Sequence, residues 1–285
     1  MPSHEYSLLR VSHRDGVADV VIDNPPVNVM DVALMTELTR FLAEVRDYPA
    51  VRVIVFESAN PEIFIAHVDM SLIDAPTAFD DLATTLPGLP NVFQAFAETV
   101  RRQPQLTIVK LKGLARGGGA EFAAAADLTF AAIGRAGLAQ CEALMGIIPG
   151  GAGTQLLSTR TTRGRALEIV LGADLFDAET AERYGWINRA LPADEIDAFV
   201  DRLARNIAAL PEGVVAAAKH ALPAPDLLEA LHREHDAWAG LFALPAAEAL
   251  IRGGLDAGAQ TLDGERNLEG LLRSLWARIG NRRPD

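Results

Sequence analysis

Two glutamates stand beside glycine-rich turns. Glu121 follows Gly117-Gly118-Gly119-Ala120, and Glu142 precedes Ala143-Leu144-Met145-Gly146-Ile147-Ile148-Pro149-Gly150-Gly151. Carboxylates set among glycines and apolar residues suit acid–base chemistry on a water molecule. Successive glycines let backbone N–H groups face a ligand with no Cβ in the way. A helix starting at the triple glycine would add its N-terminal dipole, favouring an anion. One such preorganised donor is worth about 2.7–4 kcal/mol in a transition state. Proton transfer combined with oxyanion stabilisation points to an enzyme. On this motif alone a second reading also fits: a glycine turn packing helix against strand, with Glu121 a solvated carboxylate at the helix start. The motif is not a P-loop, because no Gly-Lys-Ser/Thr follows, and it does not fit Gly-x-Gly-x-x-Gly.

The elements that must position these residues alternate in type. Val17 to Asp23, Val51 to Phe56, Leu106 to Leu111 and Leu128 to Ile133 are β-branched, apolar runs and read as strands. The second is apolar throughout, as expected of a strand covered on both faces. Asp31 reads as the N-cap of a helix carrying Leu34, Met35, Leu38, Phe41, Leu42 and Val45 at helical spacing. Asn91 to Arg102 is an amphipathic helix, and Ala120 to Ala126 favours a helix. The third strand runs on through Gly113 into the glycine cluster. Asp74 to Pro90, with Pro76, Pro87, Gly88 and Pro90, reads as a mobile surface segment and a candidate lid. Strands alternating with helices indicate an α/β core. From Asp194 onward the pattern is helical: 194–210, 212–221, 226–251 with a break at Pro245, and 262–279.

A chain of 285 residues, 49% hydrophobic, has ample material for a core. The net charge of −12 argues against general nucleic-acid binding, which needs clustered Lys and Arg. The one cysteine, Cys141, excludes an internal disulfide and fits a reducing compartment. The first residues lack the basic-then-apolar pattern of a signal peptide. The most apolar stretch, 114–133, is interrupted by Arg116, Glu121 and Asp127, too polar for a membrane span. The expectation is a cytoplasmic protein with neither membrane nor nucleic-acid partner.

Taken together, three segments become specific. They are Ile63-Phe64-Ile65-Ala66-His67-Val68-Asp69, then Gly113-Leu114-Ala115-Arg116-Gly117-Gly118-Gly119-Ala120-Glu121, then 142–155 ending Gly150-Gly151-Ala152-Gly153-Thr154-Gln155. In this order they resemble the enoyl-CoA hydratase/isomerase (crotonase) family. Asn24-Pro25-Pro26-Val27-Asn28 is similar to that family's early turn. Segments 163–172, 177–181 and 184–188 are similar to its later helices and strand.

The resemblance implies a crotonase-like α/β fold, a spiral of ββα units with a C-terminal helical subdomain. It places a core with the thioester site at 1–192 and, at 193–285, a helical region for oligomerisation and active-site cover. It implies an acyl-CoA thioester substrate, no metal or redox cofactor (coenzyme A being part of the substrate), and a homotrimer or homohexamer. The thioester oxygen would lie between the N–H groups of Val68 and Gly118. Glu121 and Glu142 would be the catalytic pair around a water. Ala66, His67, Asp69, Gly117, Pro149 and Gly150 would surround the substrate, with 71–91 at its acyl end. His67 departs from the family pattern, which has glycine there. Its imidazole either reshapes the site or turns away to bond backbone. Alternatives are a double-bond isomerase using one glutamate, and a non-catalytic acyl-CoA binder.

Three other groups have bland readings. Cys141 is expected to be an inert buried thiol. His232 and His235, flanked by Arg233, Glu234 and Asp236, are expected on a solvated helix face. Arg273, Arg278, Arg282 and Arg283 are expected to form a solvated basic tail, with a nucleotide contact as the functional alternative.

Overall fold

The structure, a computed structural model, describes residues 5–86 and 88–280. An antiparallel hairpin, β1 (Leu9–Arg14) and β2 (Val17–Ile22), opens it. The hairpin turns on Asp15-Gly16, both at positive φ (51° and 81°), the backbone that suits a twisted two-residue turn. Helix α1 (Val32–Arg46) follows, and Asp31 caps it by accepting the Leu34 N–H at 2.8 Å. Next come β3 (Val53–Ser58), β4 (Ile63–Ile65), a 3₁₀ turn at Met70–Asp74, α2 (Asp80–Thr85) and α3 (Val92–Arg101). Strands β5 (Leu106–Leu111) and β6 (Leu114–Arg116) lead into α4 (Gly118–Ala125), followed by β7 (Leu128–Ala132) and β8 (Gly137–Ala139). A second 3₁₀ turn, Glu142–Met145, precedes α5 (Gly153–Arg160), α6 (Arg163–Gly172), β9 (Phe176–Asp177), α7 (Ala178–Tyr184) and β10 (Arg189–Leu191). The remainder is helical: α8 (Ile196–Ala208), α9 (Val214–Ala221), α10 (Leu228–Phe242), α11 (Pro245–Asp256), α12 (Leu262–Glu265) and α13 (Leu268–Gly280).

Two sheets result. One has the order β1-β2-β3-β5-β7-β10, parallel from β2 onward; the other has the order β4-β6-β8-β9. Along β3 the side chains alternate between two cores. Ile54 and Phe56 pack with Leu34 and Phe41 of α1 and Phe96 of α3, whereas Val53 and Val55 pack with Ile196, Val200 and Ala204 of α8. Burial on both faces accounts for the uninterrupted apolar run. Helix α8, just beyond residue 192, covers one face of the main sheet.

The third expected strand is not continuous. It leaves the first sheet after Leu111 and joins the second at Leu114. Gly113 permits the step, since a Cβ there would lie 2.4 Å from the Glu62 carbonyl carbon. The expected helix of 226–251 does break at Pro245: α10 ends at Phe242 and Pro245 opens α11. The Asp74–Pro90 segment carries α2, whose Leu82 is buried in the main core, so much of it is packed structure. Among the described residues no helix is long and apolar enough to cross a membrane.

Candidate active site

Every residue of α4 is buried, and Gly117, at φ 45°, turns the chain from β6 into it. The first N–H groups of a helix have no partner within it, and no side chain caps this one. Opposite lies Val68. Met30 pairs with this segment as an isolated parallel bridge: its N–H donates to the His67 carbonyl at 2.8 Å, and its carbonyl accepts from Asp69 N–H at 3.3 Å. Because strand groups alternate in direction, the bridge directs the N–H and C=O of Val68 away from Met30. A Cβ built on Gly118 would lie 3.4 Å from Val68 N and 2.8 Å from Val68 Cγ2, so the two loops lie against each other.

Glu121, one helical turn into α4, and Glu142, at the start of the second 3₁₀ turn, line one cavity of about 240 Å³ with His67, Val68 and Gly118. Both carboxylates are buried, at 5% and 8% exposure. Glu121 Oε1 accepts the N–H groups of Gly151 (2.8 Å) and Gly153 (2.9 Å). With its amide turned to the orientation that satisfies both its oxygen and its nitrogen, Gln140 donates to Glu142 at 3.1 Å from Oε2 and 3.3 Å from Oε1. Burial, then repulsion from Glu142 and Glu234, holds the Glu121 carboxyl well above its ordinary range, although two backbone donors oppose this. Burial also pushes Glu142 up, to about 7, with nearby His67 pulling the other way. Both carboxyls thus hold their protons more tightly than an exposed carboxyl does, which suits giving and taking protons in one reaction.

The rest of the cavity is apolar. The segment after Val68 supplies Met70, Leu72, Ile73, Pro76 and Phe79; α3 supplies Phe93, α10 supplies Trp238 and Phe242, and α11 supplies Ile251. Among the residues expected around a substrate, His67, Asp69 and Gly150 line this cavity. Ala66, Gly117 and Pro149 are not among its lining residues. Ala66 packs with Val27 and Ile63, Gly117 lies against Glu142, and Pro149 abuts Gly153.

The sequence matches the enoyl-CoA hydratase/isomerase family over residues 12–264. The chain belongs to that family. It is 30% identical over 214 residues to a carnitinyl-CoA dehydratase of Proteus mirabilis, covering 74% of this chain and 78% of the relative. It is 26% identical over 203 residues to a crotonyl-CoA hydratase of Syntrophomonas wolfei, covering 71% and 76% of the two. A crystal structure from Streptomyces avermitilis, provisionally named an enoyl-CoA hydratase, superposes with a TM-score of 0.94 at 63% identity, covering 96% of this chain and all of that one. The fold is thus the crotonase-like α/β fold that the sequence resembles.

Within this family member, His67 combines both of its expected readings. It lines the cavity, yet its Nδ1 lies 2.7 Å from the Val68 carbonyl and its Nε2 3.1 Å from Glu265 Oε1. Both partners are acceptors, so the ring satisfies both only by carrying two protons. Burial is the largest single influence and works against that charge, but the hydrogen bond and charge of Glu265 and the Val68 carbonyl together outweigh it and raise the His67 pKa. Glu265 is held below its ordinary range: His67 and further partners overcome its burial.

Glu234 and Glu265 are buried carboxylates that the sequence reading did not single out. Glu234 was placed on a solvated face with His232 and His235, but it is 3% exposed and reaches the active-site loop. It accepts the Ala152 N–H at 2.7 Å and the Thr154 N–H at 3.0 Å. His235 is half-buried, 3.1 Å from Asn91 Nδ2, and only His232 keeps the exposed placement. Glu265 gives no local signal at all, since its partners lie far away in sequence. Cys141 is buried, and burial pushes its thiol well above the ordinary range, as expected of an inert thiol. Arg273 is exposed, as expected of a solvated residue, and also donates to the Gly172 carbonyl (2.8 Å) and to Asp174 (2.5 Å). Arg282 and Arg283 lie outside the described residues, as does the side chain of Arg278.

Proposed function

We propose that this chain is an enoyl-CoA hydratase, adding water across the 2,3 double bond of an enoyl-CoA thioester. The observation that carries the reading is one cavity lined by two buried carboxylates, Glu121 and Glu142, together with Val68 and Gly118. The N–H groups of Val68 and Gly118 take the thioester oxygen. Polarisation makes C3 electrophilic, and water attacks it while an ionised carboxylate of the pair removes the water's proton. The C2=C3 electrons move toward the thioester, leaving an enolate that the two amides stabilise. The protonated carboxyl then delivers its proton to C2. Water is consumed, C3 gains the hydroxyl and C2 the hydrogen. The glutamates end with the proton exchanged between them. Coenzyme A arrives and leaves as part of the substrate. Relatives named for adding or removing water on CoA thioesters support hydration over isomerisation.

The assay follows the absorbance of a trans-2-enoyl-CoA in wild type and Glu142→Gln. Wild type should remove the conjugated thioester and yield a 3-hydroxyacyl product, and the variant should lose about 10²–10⁴-fold in rate. Turnover of 3-enoyl thioesters alone would instead make the chain an isomerase. Tight CoA-thioester binding without turnover would make it a binder.

A trimer or hexamer is part of this proposal. Exposed Leu171, Leu222, Leu244 and Trp276 are apolar surface that subunit contacts would cover. Light scattering that gives a monomer of 30.5 kDa would remove this part.

A further inference from the structure

A buried ionic chain joins the two loops of the site to the C-terminal helices. Glu265, at the end of α12, is fully buried. Its Oε1 accepts from His67 Nε2 at 3.1 Å and from the Gln260 N–H at 2.9 Å. Its Oε2 lies 3.6 Å from Arg116 Nη1, a charge contact without a hydrogen bond. The remaining face of the Arg116 guanidinium is gripped by Glu269, at 2.6 Å from Nε and 3.0 Å from Nη2. Gln260 extends the clasp: its amide donates to Asp69 at 2.9 Å and accepts the Met70 N–H at 2.6 Å.

The positions matter. His67 is the residue before Val68, and its Nδ1 lies against the carbonyl of Val68, the residue whose N–H the Met30 bridge turns away from Met30. Arg116 is two residues before Gly118. One carboxylate therefore touches both loops just upstream of the two amides. Two cations, His67 and Arg116, face two anions, Glu265 and Glu269, so the cluster is neutral and its members cannot move independently without exposing a buried charge.

We propose that Glu265 is a positioning residue that sets the separation and aim of the Val68 and Gly118 amides, and that the C-terminal region thereby completes the oxyanion site. This rests on the reading of those amides given under Proposed function. A misplacement on the order of 1 Å costs about 100-fold in rate, so a loosened clamp should lower kcat more than it raises KM.

The test compares wild type, Glu265→Gln and His67→Gln in the full chain, with two readouts. The first is steady-state hydration of crotonyl-CoA. The second is the infrared carbonyl stretch of bound [1-¹³C]butyryl-CoA, a saturated thioester that cannot be hydrated and reports polarisation directly. Both variants should lose about 10–100-fold in kcat, keep KM within about threefold, and return the carbonyl band part-way to its free position. A folded Glu265→Gln that keeps the wild-type band overturns the proposal, whatever its activity. If Glu265→Gln fails to fold, His67→Gln decides by the same criterion. If wild type does not hydrate crotonyl-CoA, the hydratase reading fails but the infrared comparison still judges Glu265. If wild type leaves the carbonyl band unshifted, the amides do not polarise a thioester and the proposal falls.

Discussion

Glu121 and Glu234 divide four consecutive backbone N–H groups between them. Those of Gly151 and Gly153 go to Glu121, and those of Ala152 and Thr154 to Glu234. The Gln94 amide also donates to Glu234, at 3.1 Å. Glu234 thus holds the far side of the loop that orients a catalytic candidate. Its negative charge raises the pKa of both Glu121 and Glu142.

Glu234→Gln should therefore have a double effect. Neutralising the side chain removes repulsion, so the pKa values of both catalytic carboxyls fall and the pH profile of kcat/KM moves to lower pH. The amide NH₂ also meets donors where an acceptor stood, costing on the order of 2–3 kcal/mol of stability. A pH–rate profile and a denaturant titration check the two parts separately. An unmoved profile would show that Glu234 does not couple to the pair.

For the active pair itself, activity requires one proton shared by two carboxyls. Below about pH 7 Glu142 becomes protonated as well, so kcat/KM should fall on the acid side with an apparent pKa about 7. Glu121 stays protonated well above the ordinary carboxyl range, so its ionisation sets the alkaline limb. A profile flat from pH 5 to 8 would contradict this arrangement.

The same burial has a stability consequence of definite sign. The Glu142 carboxyl binds its proton more tightly in the folded protein, with a pKa about 7 against an ordinary 4.5. Stability is present below about 4.5 and is withdrawn as the pH rises toward about 7, by on the order of 3 kcal/mol. Glu142→Gln mimics the protonated form at every pH. It should melt higher than wild type at pH 8 and the same at pH 4, while losing activity throughout. Equal melting temperatures at both pH values would show that ionised Glu142 is not strained in the fold.

Much of the fold was legible because its strands are long and covered on both sides. β2, β3, β5 and β7 advertise themselves as β-branched runs, and Asp31 and Asn91 mark helix starts by the caps they form. β1 was missed because it is an edge strand whose residues after Leu9 are largely exposed and polar, although Asp15-Gly16 is a hairpin signal. The second sheet was missed because β4, β6 and β8 are three residues each, too short for a period to register. At the site, Glu121 and Glu142 were legible from their glycine neighbours. Glu234 and Glu265 were not: the first sits in a polar helical run, and the second meets His67 across 198 residues of chain. Only tertiary packing makes their environments.

The glycines around the carboxylates give a steric test. A Cβ at Gly151 would lie 2.4 Å from Glu121 Oε2 and 3.0 Å from its Cδ. Glu121 is held by that same loop and cannot swing aside without giving up the Gly151 and Gly153 N–H bonds. Gly151→Ala should thus cut kcat by about 100-fold through displacement of the carboxylate. Gly240, within α10, has nothing within 4 Å of its built Cβ. Gly240→Ala should leave kcat unchanged and raise stability by about 0.5–1 kcal/mol through helix propensity. Equal kinetics for the two alanine variants would sink the steric argument.

Trp238 offers a last test, on the apolar wall of the cavity. Its ring stacks on Phe242 at 4.9 Å and lines the cavity together with Met70 and Phe79. It also presses on Gly150, where a Cβ would come within 2.7 Å of the indole. Trp238→Ala removes a wall without touching either carboxylate. The short crotonyl group loses apolar contact, so its KM should rise about 10-fold, in line with about 1–2 kcal/mol of lost burial. Longer or aryl-substituted enoyl thioesters gain the vacated space, so their kcat/KM relative to crotonyl-CoA should increase. Gly150→Ala should act in the opposite sense, pushing the indole into the cavity and penalising the longer acyl groups. A panel of trans-2-enoyl-CoA thioesters measured on both variants checks the pair, and parallel shifts in both would show that Trp238 does not bound the acyl site.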